Sequence, residues 1–257
     1  MKNTILSEKD ANLIEKAILT HGRILEVEKL MAILRETYSD ASAHNRINQL
    51  ARSGWLKRIK QGLYLVSDSV SARSQNDASL VLIANYLNSE SYVSLSYALN
   101  YHQMFDQYGK IVTSVTTQSS KKYDFDGHIF KFSKVKADQY FGFVEKREAG
   151  KIIRIAEAEK ALIDFLYLDK SFGSSNLVFE KIKEHSNVLD LEKLQKYAIR
   201  SSLATARKIG FILDALNLNS DYIFSRLNNK SGFSRFSNDS KLFNAKWRLY
   251  YDDRIIG

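Results

Sequence analysis

Three amides and an arginine face the same way on a short predicted helix. Asn45, Asn48, Gln49 and Arg52 share its outer side, flanked by Ser42 and Arg46. Amide side chains pair bidentately with adenine, and a guanidinium does so with guanine. The stretch NRINQLARSGWLKRIKQGLYLV, residues 45–66, carries five basic residues and no acidic one. Its second half contributes Lys57, Arg58 and Lys60, whose charges suit phosphate oxygens. This order of residue types points to double-stranded DNA, with a helix reading base edges and a basic ribbon gripping the backbone. Plainer readings exist for each part. An amide face can simply be solvated, a lysine-rich hairpin can blunt a sheet edge, and a module of this kind can dock a protein instead.

Three helices must hold that face in place. Ser7 followed by Glu8 and Asp10 opens the first, whose apolar side is Leu13, Ala17 and Ile18 and which stops at His21-Gly22. The second covers 26–36, with Val27, Leu30, Met31 and Leu34 inward. The third starts at Ser39 or Asp40 and ends at Gly54, with Ala43, Ile47, Leu50 and Ala51 on its inner side. The pattern then turns to β: WLKRI, a turn at Gln61-Gly62, and LYLV. Together these elements predict a winged helix-turn-helix domain over residues 1–68. The Ser-rich SDSVSARS (67–74) predicts a linker at 69–76, leaving 77–257 as a larger domain.

That larger domain reads as mixed α+β with a mainly antiparallel sheet. Helices are predicted at 78–87, 94–102, 157–168, 176–185, 190–201 and 203–217. Strands are predicted at 91–94, 110–117, 121–125 and 128–132, with Asp126-Gly127 as a two-residue hairpin turn. FGFVEKR and KIIRIA extend the sheet, and KWRLYYDD near the end forms a strand or edge. On the 203–217 helix, Leu203, Ile209, Leu213 and Leu216 define a core face. Arg207 and Lys208 then project, with Arg200 nearby, as a second phosphate-contacting patch or a solvated face.

Enzymatic readings find less support. Glu157, Lys160 and Asp164 lie on one face of the 157–168 helix, so a carboxylate–amine site is conceivable. An ion pair beside packed Leu162, Phe165 and Leu166 is the simpler account. The five histidines lack ligand spacing, no Gly-rich phosphate loop or serine elbow occurs, and the chain has no cysteine. No catalytic residue, cofactor or metal is expected. No apolar run approaches the roughly 18 residues of a membrane span, and charges interrupt the first twenty positions, so a cytoplasmic protein with no membrane partner is expected.

The net charge of +9 is unevenly spread. Residues 1–75 carry 12 basic and 8 acidic side chains, 76–180 carry 12 and 13, and 181–257 carry 14 and 8. Basic ends around a neutral middle suggest a polyanion touching both. Proline is absent, where ordinary usage would give roughly a dozen.

Several motifs in one order resemble the AbiEi-type antitoxins. They are GWLKRIKQGLYLV, SYVSLSYALNYH, IVTSVTT, FDGHIFKFSKV, IRIAEAEKALIDFLYL, ARKIGFILDAL and KWRLYYD, and they span nearly the whole chain. The chain departs from that family at Ala158, where a proline is common. The resemblance implies a bifunctional regulator of a type IV toxin–antitoxin (abortive infection) system. Its winged helix would repress its own promoter at inverted repeats. Its larger domain would counter a cognate nucleotidyltransferase-like toxin without forming a stable complex.

Overall fold

The computed structural model describes residues 6–67, 79–106, 109–148 and 150–255. The predicted linker at 69–76 lies outside the described residues. The first helix, α1 (Glu8–His21), begins where the Ser7 hydroxyl accepts from the Asp10 N–H at 3.2 Å, and it stops at Gly22 with φ +82°. A three-residue strand β1 (Ile24–Glu26), not anticipated from the sequence, precedes α2 (Val27–Arg35) and α3 (Asp40–Ser53). Gly54, in the left-handed region, closes α3. Strands β2 (Leu56–Lys60) and β3 (Leu63–Val66) follow, and the sheet order is β1-β3-β2, antiparallel throughout. The amino-terminal part is thus three helices with a small three-stranded antiparallel sheet.

The small sheet is buried on both faces. Leu25, Leu56 and Val66 join Ile14, Leu34, Ala43, Ile47 and Leu50 in a core beneath the three helices. Ile24, Ile59, Leu63 and Leu65 belong instead to the main core of the rest of the chain. A strand covered on both sides has no need of polar alternation, which is why LYLV is apolar throughout. The amino-terminal part is therefore packed onto the remainder through its own sheet.

Residues 79–156 build the second sheet. The elements are α4 (Leu80–Leu87), β4 (Ser91–Val93), α5 (Leu95–Tyr101), β5 (Ile111–Thr116), β6 (Lys121–Phe125), β7 (His128–Lys134), β8 (Phe143–Glu148) and β9 (Lys151–Ala156). The strand order is β6-β7-β5-β4-β9-β8. Pairs β6/β7, β4/β5 and β8/β9 are antiparallel, while β5/β7 and β4/β9 are parallel, so the sheet is mixed. Asp126 (φ +51°) and Gly127 (φ +79°) make the β6–β7 turn, both in the positive-φ region that a tight hairpin demands.

A helical layer covers this sheet: α6 (Ala158–Leu168), α7 (Phe172–His185), α8 (Leu191–Ser201), α9 (Leu203–Ala215) and α10 (Asp221–Leu227). Helix α7 starts a turn earlier than its periodicity suggests, because Ser171 caps it by accepting from the Ser174 N–H at 3.2 Å. The chain ends in three short strands, β10 (Ser234–Arg235), β11 (Leu242–Asn244) and β12 (Leu249–Tyr251), ordered β10-β12-β11. Trp247, just before β12, anchors them. Its indole N–H donates to Asp214 Oδ2 at 2.8 Å, and its ring lies against Gly210 of α9.

A β-carbon at position 210 would sit 2.3 Å from two Trp247 ring atoms, a contact that no rotamer of a fixed indole relieves. Gly210→Ala is expected to lower the unfolding free energy by about 3 kcal/mol, measured by denaturant titration.

Candidate nucleic-acid interface

Helix α3 is clearly two-sided. Ala43, Ile47 and Leu50 are buried, while Ser42, Asn45, Asn48, Gln49 and Arg52 are exposed. Arg46 departs from the expected outward role. Its Nε donates to Asp10 Oδ1 at 2.5 Å, its Nη2 binds the other carboxylate oxygen, and its Nη1 donates to Gln49 Oε1 at 2.7 Å. Arg46 thus braces α1 against α3 and orients Gln49. Asp10, in the first turn of α1, is buried beneath it.

A second acid borders the face. Asp40, at the first turn of α3, is paired with Arg35 (Nε to Oδ1, 2.8 Å), whose hydrogen bond and charge hold the carboxyl below its usual range. Two carboxylates therefore rim the α3 surface, and each is matched by an arginine.

The ribbon is redistributed more strongly. Lys57 pairs with Asp126 at the β6–β7 turn, 2.9 Å away. Lys60 donates to the carbonyls of Tyr86 and Leu87 at 3.2 and 3.1 Å, capping the carboxyl end of α4. Burial pushes the Lys60 ammonium below its usual range, with nearby Lys121 adding to the effect and Glu26 opposing it. A bulge between Arg58 and Lys60 produces this arrangement. Strict alternation would put Lys60 on the side of Arg58, but the bulge turns it to the side of Lys57. Of the three basic residues, Arg58 alone is exposed. The sequence assignment of Lys57 and Lys60 to phosphates is corrected: both serve the junction between the two parts of the chain.

The second predicted patch does not form. Helix α9 is buried continuously from Thr205 to Leu213. Arg207 lies inside it, donating to Ser234 Oγ at 3.3 Å and to the carbonyls of Lys230 and Ser231 at 3.1 and 3.0 Å. Lys208, also buried, donates to the Phe236 carbonyl at 3.0 Å. Both clamp the 230–236 segment onto α9 instead of projecting. Burial, with a smaller contribution from Lys170 and against the charge of Asp169, pushes the Lys208 ammonium down to about 8. Arg200 is exposed, its guanidinium 4.0 Å from the centre of the Phe141 ring.

The carboxylate–amine candidate on α6 resolves into packing. Lys160 and Asp164 are each 1 % exposed and pair with one another. Asp164 Oδ2 also accepts from Ser94 Oγ at 2.7 Å and Tyr92 Oη at 3.1 Å. Burial raises the Asp164 carboxyl, against the lowering by Lys160 and these hydroxyls. Glu157 lies apart, bound to the Tyr197 hydroxyl and to Lys193 Nζ at 3.2 Å. Both side chains of the Lys160–Asp164 pair are closed off from solvent. Among the described residues no group of three or more His, Cys, Asp or Glu is placed to hold a metal, and no helix is long and apolar enough to cross a membrane.

No family model and no curated protein matches this chain. A solved structure described as the RV2827C protein from Mycobacterium tuberculosis is similar at 12 % identity, with a TM-score of 0.69 over 98 % of this chain and 94 % of that one. At that identity the likeness concerns the fold along the whole length.

Two stability measurements check these assignments. Asp164→Asn is expected to cost about 3 kcal/mol or more in denaturant unfolding, and a Lys160→Met/Asp164→Leu pair to recover most of it, because the harm lies in stranding one charge. For Lys208, the folded value of about 8 lies below the unfolded 10.5, so the unfolded chain holds the extra proton between them. Stability gained from this group therefore rises with pH across that window. Relative to Lys208→Met, the wild type should gain roughly 2 to 3 kcal/mol between pH 7.5 and 10.

Proposed function

We propose that this protein is a sequence-specific DNA-binding autorepressor and the antitoxin of a type IV toxin–antitoxin (abortive infection) system, acting in the cytoplasm. The observation that carries the DNA-binding half is the exposed face of α3. Ser42, Asn45, Asn48, Gln49 and Arg52 are presented together on a helix whose other side is buried, and the two bordering acids are already matched by arginines. Asn and Gln offer bidentate partners to adenine, Arg52 to guanine or phosphate, and Arg58 to the backbone beside the groove. Arg46 acts as a positioning residue through Asp10 and Gln49. The rigid seating of the small sheet on the main core fixes where α3 points, and that suits register-specific reading of a duplex.

The antitoxin half rests on the AbiEi resemblance of the motifs along the chain. Its partner would be a cognate nucleotidyltransferase-like toxin that it counters without stable association. The promoter target would be inverted repeats upstream of its own reading frame.

Fluorescence anisotropy on the upstream duplex between 50 and 300 mM salt tests the first half. Arg52→Ala and Arg58→Ala should each weaken binding to every duplex and flatten the log K against log[salt] slope by about 1. Gln49→Ala should relax sequence preference. Lys60→Met should leave the slope unchanged, since Lys60 faces α4. A slope insensitive to Arg52 and Arg58 overturns the interface. In cells, an Arg52→Ala/Arg58→Ala protein should lose repression yet still rescue growth from the neighbouring nucleotidyltransferase, and the two proteins should not co-purify.

A further inference from the structure

A cleft of about 570 Å³ opens between the end of α6, the first turns of α9 and the segment 233–238. Its size falls within the range of small-ligand sites. Three features of its lining converge on one ligand chemistry.

The first is Lys208, which lines the cleft and is 3 % exposed. Its one hydrogen bond among the described residues goes to the Phe236 carbonyl, and no described carboxylate pairs with it. The nearest acid in sequence to the cleft, Asp169, makes no ion pair with it: its carboxylate accepts from the Ser171 N–H at 2.9 Å and the Ser174 hydroxyl at 2.6 Å, and its charge offsets the burial of Lys208 only in part. Lys170, also on the lining and exposed, adds a second ammonium with no ion pair among the described residues. A buried charge without a counter-ion is unfavourable, and an incoming anion relieves it.

The second is the amino end of the thirteen-residue α9, where Ser202 and Thr205 line the same cleft. The helix dipole there favours negative charge. The third stands at the mouth. Phe233 is 62 % exposed, and its ring packs edge-on against Tyr250 at 5.3 Å, with Phe243 on Tyr250 at 4.9 Å and the Arg235 guanidinium 4.1 Å from the Tyr250 centroid. Exposed rings beside a cationic cleft form a stacking surface for a nucleobase.

We infer that this cleft binds a nucleoside phosphate, its phosphates held by Lys208, Lys170 and the start of α9 and its base stacked on Phe233. The ligand is either a free nucleotide or the phosphorylated end of a single strand. The inference is independent of duplex recognition by α3.

Isothermal titration of the full chain with ATP, tripolyphosphate, adenosine, and a trinucleotide with and without a 5′-phosphate tests it. ATP is expected to bind more tightly than either adenosine or tripolyphosphate. Phe233→Ala and Lys170→Ala, both at exposed positions, should each weaken ATP by about fivefold or more, and Lys208→Met should weaken it further. Duplex affinity of the Phe233→Ala protein should be unchanged. Tighter binding of the phosphorylated trinucleotide than of ATP identifies a strand end as the ligand, and the reverse identifies a free nucleotide. The inference is overturned if neither phosphorylated probe binds at millimolar concentration, if tripolyphosphate matches ATP, or if Phe233→Ala and Lys170→Ala leave the affinity intact.

Discussion

The three-stranded sheet between the two parts of the chain is the constraint on which the architecture depends. Covered by Leu25, Leu56 and Val66 on one side and by Ile24, Ile59, Leu63 and Leu65 on the other, it belongs to both cores at once. A module carried on a tether would keep one face of such a sheet polar. Here that face is apolar, and opening it would return four large aliphatic side chains to water, each worth roughly 2 kcal/mol. The orientation of α3 relative to the main core is therefore set by packing, whatever path the chain takes between residues 67 and 79.

The same constraint reassigns the charges. Once the sheet is a buried layer, every basic residue on its inner side needs a local acceptor, and Lys57 and Lys60 find Asp126 and the last carbonyls of α4. Arg58, on the other side, keeps its access to solvent. The charge of the ribbon thus divides between holding the junction and facing outward. A count of lysines in the sequence overstates how many can touch a polyanion, and Arg207 and Lys208 repeat the lesson in α9.

Local rules carried the sequence reading where one residue decides the backbone. Ser7 and Gly22 bound α1, Gly54 ends α3, and Asp126-Gly127 fixes a hairpin, all from their own side chains or φ. Ala158 occupies the first position of α6, whose N–H has no intrahelical partner in any case, so a residue without a free N–H would be tolerated there as well. Elements held by distant contacts stayed hidden. Strand β1 is three residues whose pairing depends on β3, and β10 and β11 exist through β12. The ion pair between Arg46 and Asp10 crosses 36 positions, and no spacing within α3 announces it. On α9 the helical period assigns one solvated side, but residues 205–213 are enclosed all round, while Leu203, placed inward by the same period, is exposed.

Two buried lysines show how differently one fold can treat the same group. Around Lys160 the chain assembles a complete answer: Asp164 as counter-ion, Ser94 and Tyr92 to satisfy that carboxylate, and the Phe141 ring 4.4 Å from the ammonium. Nothing remains for a ligand to add. Around Lys208 there are the Phe236 carbonyl, the Phe236 ring 5.7 Å away, a second lysine nearby, and the charge of Asp169, whose carboxylate itself bonds Ser171 and Ser174. Methionine would fill that volume without the desolvation penalty, so packing alone gives no reason for an ammonium. Its single bond to Phe236 helps to pin the last strands, yet a neutral donor would serve as well. The distinction between the two sites is the open cleft beside Lys208 and the closed interior around Lys160.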